Sequence, residues 1–380
     1  MTAHSAVSSA VHGASEIAPV EEIVAELRAG RMIVLVDDEA RENEGDLIFV
    51  SEHVTPDAIN FMVTHGRGLV CLTITEARAR QLGLSPMARD NKSPFNTAFT
   101  TSIEAASGVT TGISTHDRAR TIRAAIARDA GPDDIVQPGH VFPIIARPGG
   151  VLVRAGHTES GCDLAQMAGF EPSAVLCEIL KDDGTMARLP DLKKFARRHG
   201  LKIGTIADLI EFRSRNETLV ERAFSCPMTL ASEAFTLHAY IDRIGKETHL
   251  ALTCGQISPE RETLVRVHEP LSVLDFIGPA RNAFPLEQVQ KVIAAAGSGV
   301  IVLLRRAESG ENLLDALRET GADTASRWDP RLYGIGAQIL RDLGVRKMKL
   351  IASPRHLPSM AGFGLEVTSQ IASLETPRGE

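Results

Sequence analysis

Apolar residues return at helical spacing at Ile23, Val24 and Leu27, and the run stops at Gly30, a residue that tolerates the left-handed position past a helix end. A strand follows at once over 32–36. The same order recurs downstream. Thr55-Pro56 opens a helix as N-cap and first helical residue, Ile59, Met62 and Val63 turn inward, and Gly66 or Gly68 precedes a strand over 69–74. Two further strands, 141–146 and 151–153, flank Arg147-Pro148-Gly149-Gly150, which predicts a hairpin and therefore a mixed sheet. The alternation predicts an α/β (α+β) first unit. A helix over 206–212 runs into polar Arg213-Ser214-Arg215-Asn216-Glu217, so the expected division is a flexible arm at 1–19, one domain at 20–215 and a second at 225–380. In the second, 250–253, 263–267 and 300–304 read as strands, and 286–296 and 313–320 as helices, making it α/β too.

A length of 380 residues suits two domains, and 43% apolar with 23% charged residues is the composition of an ordinary soluble globular protein. Only 13 Phe, 2 Tyr and 1 Trp are available for stacking, and the net charge is −7, so single-stranded nucleic acid is not an expected partner. The basic stretch 188–222, with Lys193-Lys194 and Arg197-Arg198, reads as the solvated face of a helix whose other side is Leu189, Leu192, Phe195 and Ala196. Five scattered cysteines without C-x-x-C spacing write neither a disulfide framework nor a zinc ribbon and suit a reducing cytoplasm. Neither a signal peptide nor an apolar run long enough to span a membrane is present.

Three places carry candidate chemistry. Residues 37–46 hold six acids between two apolar strands, either a solvated loop or one that brings carboxylates to a divalent cation or to substrate hydroxyls. Arg154-Ala155-Gly156-His157-Thr158 follows a strand and opens a helix; amides, an Arg fork and a hydroxyl there make a phosphate seat, and His157 can ligate a metal or move a proton. The alternative is a plain helix cap. Glu178 stands inside the apolar strand Val175-Leu176-Cys177-Glu178-Ile179, where a carboxylate demands a partner or a shifted pKa. His140 beside Val141-Phe142 is weaker alone, and Cys71 either lines a pocket or is a buried structural thiol.

The order RENEGDLI (41–48), THDRA (115–119), GHVFP (139–143), RAGHTE (154–159) and VLCEI (175–179) resembles the 3,4-dihydroxy-2-butanone 4-phosphate synthase family of riboflavin biosynthesis, over roughly residues 20–213. The resemblance implies a lyase that converts D-ribulose 5-phosphate to L-3,4-dihydroxybutan-2-one 4-phosphate and formate, with Mg²⁺ or Mn²⁺, two per site. It places metal ligands at Glu42 and His157 and substrate contacts at Arg41, Glu42, Asp46, Arg154, Ala155, Gly156, His157, Thr158 and Glu178. His140 and Glu178 fall on its catalytic positions. It also implies a homodimer with sites near the interface. The loop around Asn43-Glu44-Gly45 is expected to close over substrate.

From about 225 onward the chain resembles GTP cyclohydrolase II, through Asp329-Pro330-Arg331-Leu332-Tyr333-Gly334-Ile335-Gly336-Ala337-Gln338 and, more weakly, Leu264-Val265-Arg266-Val267-His268. That family's three zinc cysteines fall on Leu271, Asn282 and Phe284, its catalytic loop on Arg305-Arg306-Ala307-Glu308-Ser309-Gly310 without the second Arg, and its nucleotide segment on a shortened Ala352-Ser353-Pro354. No zinc and no cyclohydrolase activity are expected, because without the metal both Lewis acid and activated water are lost. The rival readings are a bifunctional enzyme and a non-catalytic scaffold.

Overall fold

The computed structural model describes residues 17–39, 41–230, 233–244, 246–268, 284–305, 330–352 and 360–372. The arm at 1–16, the helix expected at 313–320, and Leu271, Asn282, Arg306–Gly310 and Ser353-Pro354 lie outside them. Seven strands form the first sheet: β1 (Ile33–Val36), β2 (Gly45–Val50), β3 (Cys71–Thr75), β4 (Ile103–Ala105), β5 (Ile135–Ala146), β6 (Ala174–Glu178) and β7 (Ile203–Thr205), in the order β4-β5-β3-β6-β2-β1-β7. β1 runs parallel to β7 and β3 parallel to β5, while the other neighbours are antiparallel, so the sheet is mixed. Around it stand α1 (Val20–Arg28), α2 (Pro56–Phe61), α3 (Glu76–Gln81), α4 (Thr115–Ile126), α5 (His157–Met167), α6 (Leu189–His199) and α7 (Ile206–Asn216).

The local rules read from sequence account for many helix ends. α1 buries Val20, Ile23, Val24 and Leu27 and is followed by Gly30 at φ +75°. The Thr55 hydroxyl accepts from Ala58 N at 3.1 Å and caps α2. On α6, Leu192 and Ala196 are buried while Lys194, Arg197 and Arg198 face solvent. One expectation fails. Residues 151–153 do not form a hairpin strand; Gly149 and Gly150 take φ of +92° and +61° and turn the chain into a buried 3₁₀ turn, Gly150–Leu152, that leads into α5.

The second sheet also has seven strands: β8 (Val220–Leu230), β9 (Glu233–Asp242), β10 (Thr248–Cys254), β11 (Glu262–His268), β12 (Gly299–Leu303), β13 (Lys347–Ile351) and β14 (Glu366–Ile371), in the order β14-β13-β11-β12-β10-β9-β8. Its described helices are α8 (Leu286–Ala296) and α9 (Pro330–Asp342). α8 covers one face, where Phe235, Leu252, Phe284, Val289, Ile293 and Ile301 pack as a separate cluster. The apolar residues of the other face, with Ile335, Ile339 and Phe363, join one continuous core with the first sheet. Polar contacts lock the same seam: Leu219 N donates to Gln338 Oε1 at 2.7 Å, and Arg341 donates to Ser214 Oγ at 3.0 Å. At Gly334 the backbone of α9 comes so close to the Leu152 carbonyl that any Cβ would overlap it. Among the described residues no helix is long and apolar enough to cross a membrane.

Candidate active site

Strand pairing lines up the site. In register, Leu35 of β1 faces Asp46 of β2, and Asp46 faces Glu178 of β6, so two carboxylates share one row at one end of the sheet. The acidic loop between β1 and β2 folds over that end around Asp37. Its carboxylate is fully buried and accepts from Glu42 N at 3.1 Å, Glu44 N at 2.7 Å and Arg41 Nη1 at 2.9 Å. Arg41 also pairs with Glu42 at 2.6 Å, and its guanidinium stands 5.1 Å from the centroid of the Phe95 ring.

The N-terminus of α5 enters from the other side. His157 Nε2 lies 3.1 Å from the Leu35 carbonyl, an acceptor, which assigns the proton to Nε2 and leaves Nδ1 as a lone pair. Burial, the largest influence, lowers the pKa of this imidazole and keeps it neutral. Asp37, Glu42 and His157 each offer a ligand atom, all within 4.8 Å of one another. His157 Nδ1 is also 3.9 Å from Asp46 Oδ2, while Asp46 Oδ1 is buried with no hydrogen-bond partner. Two carboxylates and a neutral imidazole beside an orphaned buried oxygen fit a hard divalent cation.

The crowding of acids shows in their titration. Burial first, then Glu178, Glu42, Glu44 and Asp37, hold the Asp46 carboxyl well above its usual range. Burial likewise raises Glu178, although Leu69 N donates to its Oε2 at 2.8 Å, and raises Glu44 to about 7. Cys71 is fully buried in β3, and burial together with the Glu178 and Asp46 charges pushes its thiol up.

The remaining predicted residues divide. Arg154 is buried and not an open fork: Nη1 pairs with Glu159 at 2.6 Å, Nε and Nη2 donate to the Phe95 carbonyl, and Nη2 also reaches Thr97 Oγ1 at 3.3 Å. It therefore ties the phosphate-type turn to the segment that carries Phe95. Gly156, not Thr158, is the N-cap of α5, with Ala155 before it and Thr158 buried in the first turn. His140 does not join the cluster. It sits on β5, separated from β6 by β3, with Nδ1 2.7 Å from Glu104 Oε2 and its side chain 43% exposed. The sequence reading offered Asp37 only as one of the acid run, Glu159 only within a motif and Arg188 only as the start of a solvated basic stretch, and it did not single out Glu104.

Carboxylates and a neutral imidazole over the end of a mixed sheet are the apparatus of an α/β enzyme with proton-transferring groups. The comparisons name it further. Residues 21–212 match the family model of 3,4-dihydroxy-2-butanone 4-phosphate synthase and 221–372 that of GTP cyclohydrolase II. A 3,4-dihydroxy-2-butanone 4-phosphate synthase of Neisseria meningitidis serogroup B is 53% identical over 354 residues, 93% of this chain and 98% of the relative. The crystal structure of RibBX, described as a two domain 3,4-dihydroxy-2-butanone 4-phosphate synthase from A. baumannii, has a TM-score of 0.67 at 46% identity and covers 94% of this chain and 100% of its own. A synthase structure in complex with two magnesium ions has a TM-score of 0.51 at 40% identity, covering 53% of this chain and 98% of its own. The chain belongs to the 3,4-dihydroxy-2-butanone 4-phosphate synthase family of riboflavin biosynthesis.

In the second domain, Phe284 is 1% exposed in the core under α8, with the Arg266 guanidinium 5.0 Å from its ring centroid.

Proposed function

We propose that residues 20–215 convert D-ribulose 5-phosphate to L-3,4-dihydroxybutan-2-one 4-phosphate and formate, and that residues 225–380 carry no cyclohydrolase activity. The observation that carries the first part is the convergence of Asp37, Glu42 and His157 within 4.8 Å beside Asp46 and Glu178. Glu42 and His157 are assigned as ligands for Mg²⁺ or Mn²⁺, two per site, with Asp37 close enough to join them; the magnesium-bound neighbour supports this reading. When bound, the cation supplies Lewis-acid polarisation of the ketose oxygens and acidifies the neighbouring C–H. Arg41 and Asp46 hold the reacting end. Glu178 and Asp46, whose burial favours the protonated form, take and return protons as the skeleton rearranges.

The phosphate is assigned to the turn Ala155-Gly156-His157-Thr158 at the positive end of α5, where Thr158 stands in the first helical turn, the Gly156 amide is held by the Arg154 carbonyl at 2.8 Å and the Arg154 side chain lies behind. Remote binding there becomes orientation of the reacting carbons. The assembly is a homodimer in the cytoplasm, for which Val136 and Leu69, 49% and 40% exposed, are apolar surface, and His140, paired with Glu104, is assigned with Glu178 to catalysis as the resemblance implies. The test is formate release from D-ribulose 5-phosphate with Mg²⁺, run beside GTP with added Zn²⁺. Turnover of the pentose phosphate alone is expected. Turnover of GTP overturns the second part, and turnover of neither favours a scaffold.

A further inference from the structure

The acidic loop is held from outside by one cation that the catalytic reading does not use. Arg188 Nη1 donates to the carbonyl of Glu42 at 2.8 Å and also to the carbonyl of Asn43, across 146 and 145 residues of chain. Asn43 stands at φ +55°, a left-handed conformation that Asn adopts more readily than other non-glycine residues, and its carbonyl is one of the two that Arg188 holds. The tie is itself anchored. Arg188 is the N-cap of α6, its amide donates to Asp191 Oδ2 at 3.2 Å, and Ala187 N donates to the Ile179 carbonyl at 3.0 Å. Between them the chain makes a tight hairpin, with Leu180 bridged to Met186 and Lys181 N donating to Thr185 O. Glu178 at the end of β6 and Arg188 at the start of α6 are thus joined by a short braced connection, and both reach the same loop. Ile179 N binds that loop a second time, through the Gly45 carbonyl at 3.0 Å.

The chemistry explains why an arginine stands there. One terminal nitrogen, Nη1, serves the adjacent carbonyls of one turn, and the fixed positive charge sits beside a loop of carboxylates that repel each other. A loop free of this tie has reason to open, because opening separates like charges.

We propose that Arg188 is a positioning residue: by pinning the Glu42 and Asn43 carbonyls it sets where the Glu42 carboxylate points, and thereby the affinity of the site for its divalent cation. The proposal rests on the assignment of Glu42 as a metal ligand. It is tested on the full chain with Mn²⁺ as probe, by electron paramagnetic resonance and calorimetric titration, on the parent, Arg188→Gln, Arg188→Lys and Glu42→Gln. Arg188→Gln is expected to weaken Mn²⁺ binding by about tenfold or more, the loss typical of groups that orient ligands. Added guanidinium is expected to restore part of it, and Arg188→Lys to keep part, which a purely structural role does not produce. Turnover by Arg188→Gln is expected to recover toward the parent as Mn²⁺ is raised. If Arg188→Gln and Arg188→Lys both bind Mn²⁺ as the parent does while Glu42→Gln has lost it, the proposal is overturned and the metal site stands. If Glu42→Gln binds normally, the site assignment falls first and this proposal with it.

Discussion

The two halves of the molecule solve the same architectural problem with different contents. Each is a mixed sheet of seven strands with its own helices. In the first, the end of the central strands is polar: Asp46 and Glu178 face each other across strands and His157 closes over them. In the second, polar groups on the sheet pair with one another. His238 bridges Ser225 and Thr253 at 2.8 and 3.1 Å, and Tyr240 donates to Asp342 at 2.6 Å. A sheet of a given size dictates no chemistry; carboxylates crowded into one row do.

That contrast can be broken in graded steps. The largest effect is expected for His157→Ala, which should cut formate release by on the order of a thousandfold or more, with the circular dichroism spectrum unchanged. Normal turnover in that variant removes the imidazole from the mechanism. Phe284→Ala should do the reverse, destabilising the chain by about 3–5 kcal/mol in denaturant titration, the usual cost of an emptied aromatic site, with kcat at 20 °C retained.

Asp163→Asn probes the seam between site helix and α7. Asp163 pairs with Arg213 at 2.5 Å and accepts from Val151 N at 2.8 Å, yet burial, its largest influence, raises it to about 6. A carboxyl that holds its proton more tightly when folded favours the folded state at low pH, and that advantage is lost as pH rises from its ordinary value of 3.8 through about 6. The parent should therefore lose stability relative to Asp163→Asn over this window, by about 2–3 kcal/mol. A difference that is flat in pH shows that folding leaves this carboxyl unshifted, and a parent that gains on the variant as pH rises shows that Arg213 outweighs burial. The smallest effect, about 1–2 kcal/mol, is expected for Tyr240→Phe, which deletes the hydrogen bonds that this hydroxyl gives to Asp342 and accepts from Arg222 and should leave formate release untouched.

Sequence carried much of this, unevenly. Helix ends, strand order within local units and the five motifs were legible because each depends on neighbours within a few residues: Thr55 caps Ala58, and Gly156-His157 opens its own helix. The turn at Gly149-Gly150 misled, since a Pro-Gly-Gly run between apolar segments also fits a hairpin, and burial of Val151 and Leu152 against α5 decided otherwise. Arg154 misled in another way. Its type and place suggested an open anion fork, but Glu159, Phe95 and Thr97 had first claim on it, and only the last two are distant in sequence. The tie from Arg188 to the acidic loop leaves no local trace, because what gives it meaning is a pairing across 146 residues.

The close passage of Gly334 past the Leu152 carbonyl bears on how such a chain can diverge. Residues on the α8 side of the second sheet can be exchanged within one unit, since that side packs into a core of its own. There is no comparable freedom on the other side, where helix and turn share one core and a single added carbon separates them. The fold of the second domain is thus constrained from outside itself, because the neighbouring domain is built against it.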